Sequence, residues 1–487
     1  MLFNSINFFI FLPIVFLLYW FVLSKKIKWQ NTLLLVSSYF FYACWDWRFL
    51  FLLMFSTLLD YFSGIQIEKA NNSKQSKVWL WLSIVINLGF LAVFKYYNFF
   101  IGSVANAFGA LGFQFNPFTF NLILPVGISF YTFHGLSYIL DIYYKRIKAE
   151  KNFVDYAVFV SFFPLLIAGP IERATHLLPQ IKKCRIPDYI KAVDGLRQIL
   201  WGLFKKIVIA DHCAKYANLI FNNTADYSGT TLLLGAIFFA FQIYGDFSGY
   251  SDIALGTARL FGIDLLRNFA FPYFSRDIAE FWRRWHISLS SWFRDYVYIP
   301  LGGNKGTTYQ KIRNIFIIFL VSGFWHGANW TFIAWGILNA IFFLPLMLRN
   351  KNRNHIEIVA MNSALPSLKE AFQILTAFIL TCFAWIFFRA DSISHAVEYL
   401  SSMFSGLTSM SSYLQTLDIL YDDIGIGLLA VLFSFIGIEW VGRRDQYAIA
   451  NFGLRWKWPL RYAFYYSIIL LIFWFEADDQ QFIYFQF

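Results

Sequence analysis

Two histidines in apolar surroundings are the residues best suited to move a proton. His326 sits in Ser322-Gly323-Phe324-Trp325-His326-Gly327-Ala328-Asn329-Trp330, 13 residues after Arg313. At ~1.5 Å of rise per helical residue that is about 20 Å along a continuous helix, well inside a hydrocarbon core ~30 Å thick. An imidazole at that depth is costly and marks a functional site, unless it is a neutral ring hydrogen-bonded to a neighbouring helix. Gly323 precedes it at i−3, and Asn329 and Trp330 follow at i+3 and i+4. One helix face would then present imidazole and amide above a place where backbone or ligand can approach closely, with Trp325 alongside. His286, in Phe281-Trp282-Arg283-Arg284-Trp285-His286-Ile287-Ser288-Leu289, is the second candidate, and a solvated or capping role at an interface fits it equally well. An unperturbed imidazole titrates near ~6.5, so the pair permits general acid–base chemistry on a hydroxyl.

Other polar groups carry weaker signals. Asp246 and Asp252 lie among small residues at the end of an apolar run, where they can line a polar channel, orient a histidine or pair with an arginine. Arg283, Arg284 and Arg294 are candidates for binding phosphates, and Pro300-Leu301-Gly302-Gly303 reads as a turn that ends a surface helix. His134 reads as a packed helix residue, Glu172-Arg173 as a local ion pair, and His176, His212, His355 and His395 as interface or loop residues. No His-Glu-x-x-His pattern, dinucleotide glycine motif or Gly-x-Ser-x-Gly elbow occurs, so neither a catalytic metal nor a nicotinamide is expected.

The elements that must hold these residues follow from composition. Of 487 residues, 58% are apolar and 14% charged, against roughly 45–50% and ~25% in soluble proteins. The chain is therefore read as a polytopic all-α membrane protein. The net charge of +11 resides in short links between apolar runs, which the positive-inside rule explains without a nucleic-acid partner. Four cysteines without a Cys-x-x-Cys pair argue against a disulfide framework.

Alternating basic links place the apolar runs in order. Asn7–Ser24 is a retained first span, and Leu33–Phe62 leaves and returns with its tip at Cys44-Trp45-Asp46-Trp47. Val78–Phe99 and Leu122–Tyr144 follow, and then Phe153–Leu178, which Pro164, Gly169 and Pro170 break. Ile199–Ala210 carries Lys205 and Lys206, and Thr231–Tyr250 returns to the basic side. Ile278, Trp282, Trp285, Leu289 and Trp292 or Phe293 share one helical face, which predicts a helix over 278–293 lying at the membrane surface. The segment of about 35 residues between Arg313 and Arg349 is too long for one span and basic at both ends, so it dips in and returns or holds two passes. Ala371–Phe388, Gly425–Val441 and Ala463–Phe475 complete about ten spans plus two hairpins. Both termini fall outside, the last before the acidic stretch Glu476-Ala477-Asp478-Asp479. A single domain over 1–487 is expected, with its core at about 119–348 and C-terminal helices at about 370–487.

The strings PVGISFYTFHGLSYILDIYY, FFPLLIAGPIERA, QIYGDFSGYSDIALGTARLFGI, FWRRWHISLSSWFRDYVYIPLGGN, GFWHGANWTFIAWG and FAWIFFRAD together resemble the bacterial membrane-bound O-acyltransferases, in their alginate O-acetyltransferase-like branch. The likeness runs from MLFNSINFFIFLPIVFLLYW to QQFIYFQF. It implies helices around a central funnel or tunnel, with His326 catalytic and His286 beside the acyl-transfer path. It further implies acetyl-CoA as donor, no permanently bound cofactor, an extracytoplasmic polysaccharide as acceptor, a separate SGNH-type acetyltransferase as partner, and a place in the bacterial cytoplasmic membrane. Peptidoglycan O-acetylation and D-alanyl transfer to teichoic acid stay open as alternatives. So do a glycan or lipid transporter and a scaffold for a periplasmic enzyme. Acceptor choice would lie in outer loops such as Gly102–Phe118 and Asp391–Asp423.

Overall fold

The computed structural model describes residues 1–113, 117–120, 122–167, 169–475 and 482–483, with the backbone alone at 422, 423 and 426. The acidic stretch Glu476-Ala477-Asp478-Asp479 lies outside the described residues. Every regular element among the described residues is helical. The chain forms two compact units, Met1–Gly195 with Thr257–Leu266, and Leu196–Gly256 with Arg267–Phe487. Five helices are long and apolar enough to cross a bilayer: Trp47–Lys69, Ser73–Ala110 (continuous through a π-helical turn), Gly229–Leu260, Trp330–Leu348 and Leu368–Arg389. The other apolar runs form shorter or interrupted helices. Ile6–Leu17 contains Pro13, and Phe153–Ser161, Phe163–Leu166 and Ala174–Lys182 are three pieces separated where Pro164 and Pro170 prevent one straight rod.

In the first unit, Ile27–Ala43 and Trp47–Lys69 meet at Cys44–Asp46, where the Asp46 side chain accepts from Arg48 N and starts the second helix. Buried Asp60 accepts from Ser83 Oγ and from Asn87 Nδ2 at 2.8 Å, so a carboxyl in an apolar helix is satisfied from within the chain. His134 is fully buried, its Nδ1 set toward Val160 O at 3.4 Å and its Nε2 accepting from Glu172 N at 3.0 Å. Glu172 also binds His176 Nδ1 at 2.9 Å and accepts from Leu266 N at 2.6 Å.

The second unit is built around Gly229–Leu260, which is buried along most of its length. The stretch between Arg313 and Arg349 resolves into two helices, Thr308–His326 and Trp330–Leu348, 19 residues each. A capping box of Thr307 and Gln310 starts the first helix, and the Asn329 side chain caps the second by accepting from Thr331 N. The pair packs backbone to backbone: a Cβ on Gly323 would stand 2.3 Å from Phe332 O, and one on Gly336 would stand 2.4 Å from Phe319 O. Small residues at such crossings are what let apolar helices associate without a hydrophobic driving force.

The predicted helix over 278–293 is broken. Ile278–Arg284 and Ile287–Phe293 are separate, with His286 between them in the left-handed region at φ 42° and ψ 56°. The apolar periodicity survives the break because Trp285, Leu289, Trp292 and Phe293 are all buried.

Gly336→Ala drives a methyl group into a neighbouring carbonyl, so it should cost about 1–3 kcal/mol and lower the melting temperature in detergent. An unchanged melt would mean that the hairpin helices separate freely.

Candidate active site

The hairpin turn puts His326 on the last residue of its first helix, with the ring 3% exposed. Its centroid lies 4.9 Å from that of Trp325, 5.1 Å from Trp335 and 5.2 Å from Phe388. Trp325 in turn lies 6.0 Å from the ring of His286. The structure therefore gathers His326, Trp325 and His286 into one aromatic cluster, in which Trp325 contacts both imidazoles.

His286 stands edge-on to Phe247, 4.6 Å between centroids. Burial pushes its imidazole down to about 3, because desolvation disfavours the charged form of the ring. A neutral ring keeps one N–H to donate and is a poor proton acceptor. Its left-handed backbone is uncommon for any residue but glycine, so the side chain is held at a special main-chain position.

Other sequence candidates have structural partners. Asn329 caps its helix and donates to Asp391 O at 2.9 Å. Asp252 lies 2.6 Å from Lys205 Nζ and accepts from Gln198 Nε2 at 2.7 Å. Asp246 lies 2.8 Å from Lys206 Nζ, which also reaches Asp211 at 2.7 Å. Asp246 accepts from Ile483 N at 2.7 Å as well. The two lysines that weakened Ile199–Ala210 as a span are thus buried and paired with carboxylates of the central helix. Removing one partner of such a pair typically costs about 3–5 kcal/mol.

Arg284 binds Glu280 at 2.7 Å and Ala270 O at 3.2 Å, while Arg283 donates to Asn352 O at 2.7 Å and His355 O at 2.8 Å. Both guanidinium groups hold loop backbone. The loop fastened by Arg283 carries Arg353, which lines a cavity of about 220 Å³ together with Arg294, Asn304, Tyr298 and Ser322. Arg294 also pairs with Asp295 at 2.8 Å. Ser322 is one helical turn before His326 and on the same face, so the cavity runs from a basic mouth to within a turn of the imidazole. In the sequence Arg353 stands only as one of the basic cluster Arg349, Lys351, Arg353 that follows an apolar segment. Nothing local distinguished it from Arg283, because the choice depends on which arginine the loop backbone occupies.

The depressed His286 has a consequence for stability. The unfolded imidazole titrates near ~6.5, so between about pH 6.5 and 3 the folded state binds fewer protons. Stability then falls by up to about 1.4 kcal/mol per pH unit as pH drops through that window. His286→Asn should therefore lose less melting temperature than wild type between about pH 7 and 5. Equal acid sensitivity would contradict a buried neutral ring.

Comparison with known proteins places this geometry in context. Residues 143–390 match the model for MBOAT, the membrane-bound O-acyltransferase family. The chain is 39% identical to the "Probable alginate O-acetylase AlgI" of Pseudomonas aeruginosa over 439 residues, covering 90% of this chain and 81% of that protein. It is 36% identical to the "Peptidoglycan O-acetyltransferase" of Helicobacter pylori, covering 84% of this chain and 81% of the relative. A "Teichoic acid D-alanyltransferase" of Streptococcus thermophilus is 33% identical over 240 residues, 46% of this chain and 57% of its own. With a multi-pass helical fold and likeness along most of its length, this chain belongs to the membrane-bound O-acyltransferase family and is an O-acyltransferase.

Proposed function

We propose that the protein takes an acetyl group from cytosolic acetyl-CoA and passes it across the bacterial cytoplasmic membrane for O-acetylation of an extracytoplasmic polysaccharide, alginate-like or peptidoglycan. A separate SGNH-type acetyltransferase completes the transfer. In this reading the shorter apolar helices bring the total to about ten passes around a central funnel, with both termini outside. The observation that carries it is the cavity with Arg294 and Arg353 at its mouth and Ser322 at its inner wall. The donor's phosphates would meet the arginines, and its extended arm would follow the helix toward His326. The rings of Trp325, Trp335 and Phe388 must turn aside for the thioester carbonyl to reach the imidazole.

In the step proposed, His326 takes the proton of an acceptor hydroxyl as its oxygen attacks the thioester carbon. The C–S bond then breaks, and the proton passes to the departing thiolate. His286, neutral and carrying one N–H, donates to the oxyanion. A positioned base contributes ~10²–10⁴-fold and an oxyanion donor a similar factor. D-alanyl transfer to teichoic acid is the second reading, favoured by relatives that match about half of the chain.

His326→Ala should lower acceptor-dependent release of the CoA thiol at least ~10²-fold in purified, folded protein. Release at the wild-type rate would remove His326 from the chemistry. In cells, the same variant should still export polymer that lacks acetyl groups. Loss of export would point instead to a transporter, and normal acetylation to a scaffold.

Arg353→Ala should raise KM for acetyl-CoA roughly tenfold with kcat little changed, as for a group that binds ground and transition states equally. An unchanged KM would place the donor elsewhere.

A further inference from the structure

The break at His286 needs something to hold it, and Asn268 meets that need with three hydrogen bonds. Its carbonyl accepts from Ile287 N at 2.9 Å, its Oδ1 accepts from Ser288 Oγ at 2.6 Å, and its Nδ2 donates to Ser251 Oγ at 3.0 Å. Asn268, Ser251, Ser288 and His286 are all at most 3% exposed. Two residues further on, Ala270 N donates to Arg284 O at 3.0 Å. The segment 268–270 therefore runs beside 284–287 and grips the chain on both sides of the left-handed residue.

The far end of this clamp is the central helix. Ser251 and Phe247 are four residues apart on Gly229–Leu260 and share one face, and Phe247 is the ring on which His286 rests. Asn268 thus spans from the helix that supports the imidazole to the residues that follow it in sequence. A residue in a sparsely populated backbone region is strained and persists only where surrounding bonds over-determine it. Here Asn268 supplies such bonds through both its main-chain carbonyl and its side-chain amide, and Ala270 adds one more.

We infer that Asn268 is a positioning residue that fixes the His286 imidazole for acyl transfer, through the left-handed turn at His286 and the bonds to Ser288 and Ser251. The inference rests on the reading of His286 as the oxyanion donor. Both ends of the amide are used, one accepting and one donating, so neither Ala nor a charged Asp reproduces it in a buried place.

The test is a double-mutant cycle on purified full-length protein with acetyl-CoA and acceptor, with His286→Asn as the second substitution. Asn tolerates the left-handed backbone while removing the imidazole. Asn268→Ala should lower kcat by roughly 10–100-fold with KM for acetyl-CoA unchanged, and should lower it no further in the His286→Asn background, since the residue acts through that ring. Equal fold-losses in both backgrounds, or no loss in the first, would overturn the inference while leaving the acyltransfer reading intact. Wild-type turnover by His286→Asn would overturn the role of His286 and this inference with it. Should Asn268→Ala fail to fold, Ser288→Ala takes its place in the cycle. It removes one hydroxyl from the clamp and should show a several-fold loss of kcat that disappears without the imidazole.

Discussion

A close backbone contact in the second unit is that between two glycine-bearing helices. Thr308–His326 and Trp330–Leu348 touch at Gly323 and Gly336, where not even a methyl group fits. That contact forces the pair into a tight hairpin whose turn carries His326, Gly327 and Asn329. A Cβ at Gly327 would meet the Phe332 ring at 2.0 Å, so the turn itself is as closely packed as the helices. The imidazole is consequently set against Trp335 and Phe388 without adjustable linkers. Placement of a reacting group within a fraction of an ångström is what rigid supporting elements provide.

The same constraint, that apolar surroundings leave polar groups no water to fall back on, orders the rest of the unit. Lys205 and Lys206 pair with Asp252 and Asp246, and Tyr244 donates to Glu439 at 2.5 Å. These bonds cross between helices far apart in sequence, so they act as fixed struts around the central helix. Such pairs are weak evidence for net stability, because desolvation offsets much of the attraction. Their geometric role is clearer: each fixes the rotation of one helix against another.

Division of labour between the two histidines follows from their settings. His326 closes a regular helix near the end of a cavity with a basic mouth. His286 interrupts an amphipathic helix in a strained conformation and is kept neutral by burial. Both rings contact Trp325, and in the proposed mechanism one serves as proton acceptor and the other as hydrogen-bond donor. Arginines nearby divide in a similar way. Arg283 and Arg284 are consumed in holding backbone, and Arg294 and Arg353 face the cavity.

Composition and the alternation of basic links determined the membrane class, the positions of the apolar runs and the likeness to O-acyltransferases, because hydropathy and charge bias are one-dimensional properties written along the chain. The motif around His326 was equally plain, as glycine spacing and a lone imidazole in an apolar run are local facts. Only the tertiary structure decided that the 278–293 helix breaks at His286, that Asp246 and Asp252 answer to lysines, and that Arg353 rather than Arg283 lines the cavity. Periodicity cannot show a left-handed residue whose cost is offset by hydrogen bonds from Asn268. Nor can spacing reveal which of several like charges meets a partner, since that is settled by which helix faces come together across tens or hundreds of residues.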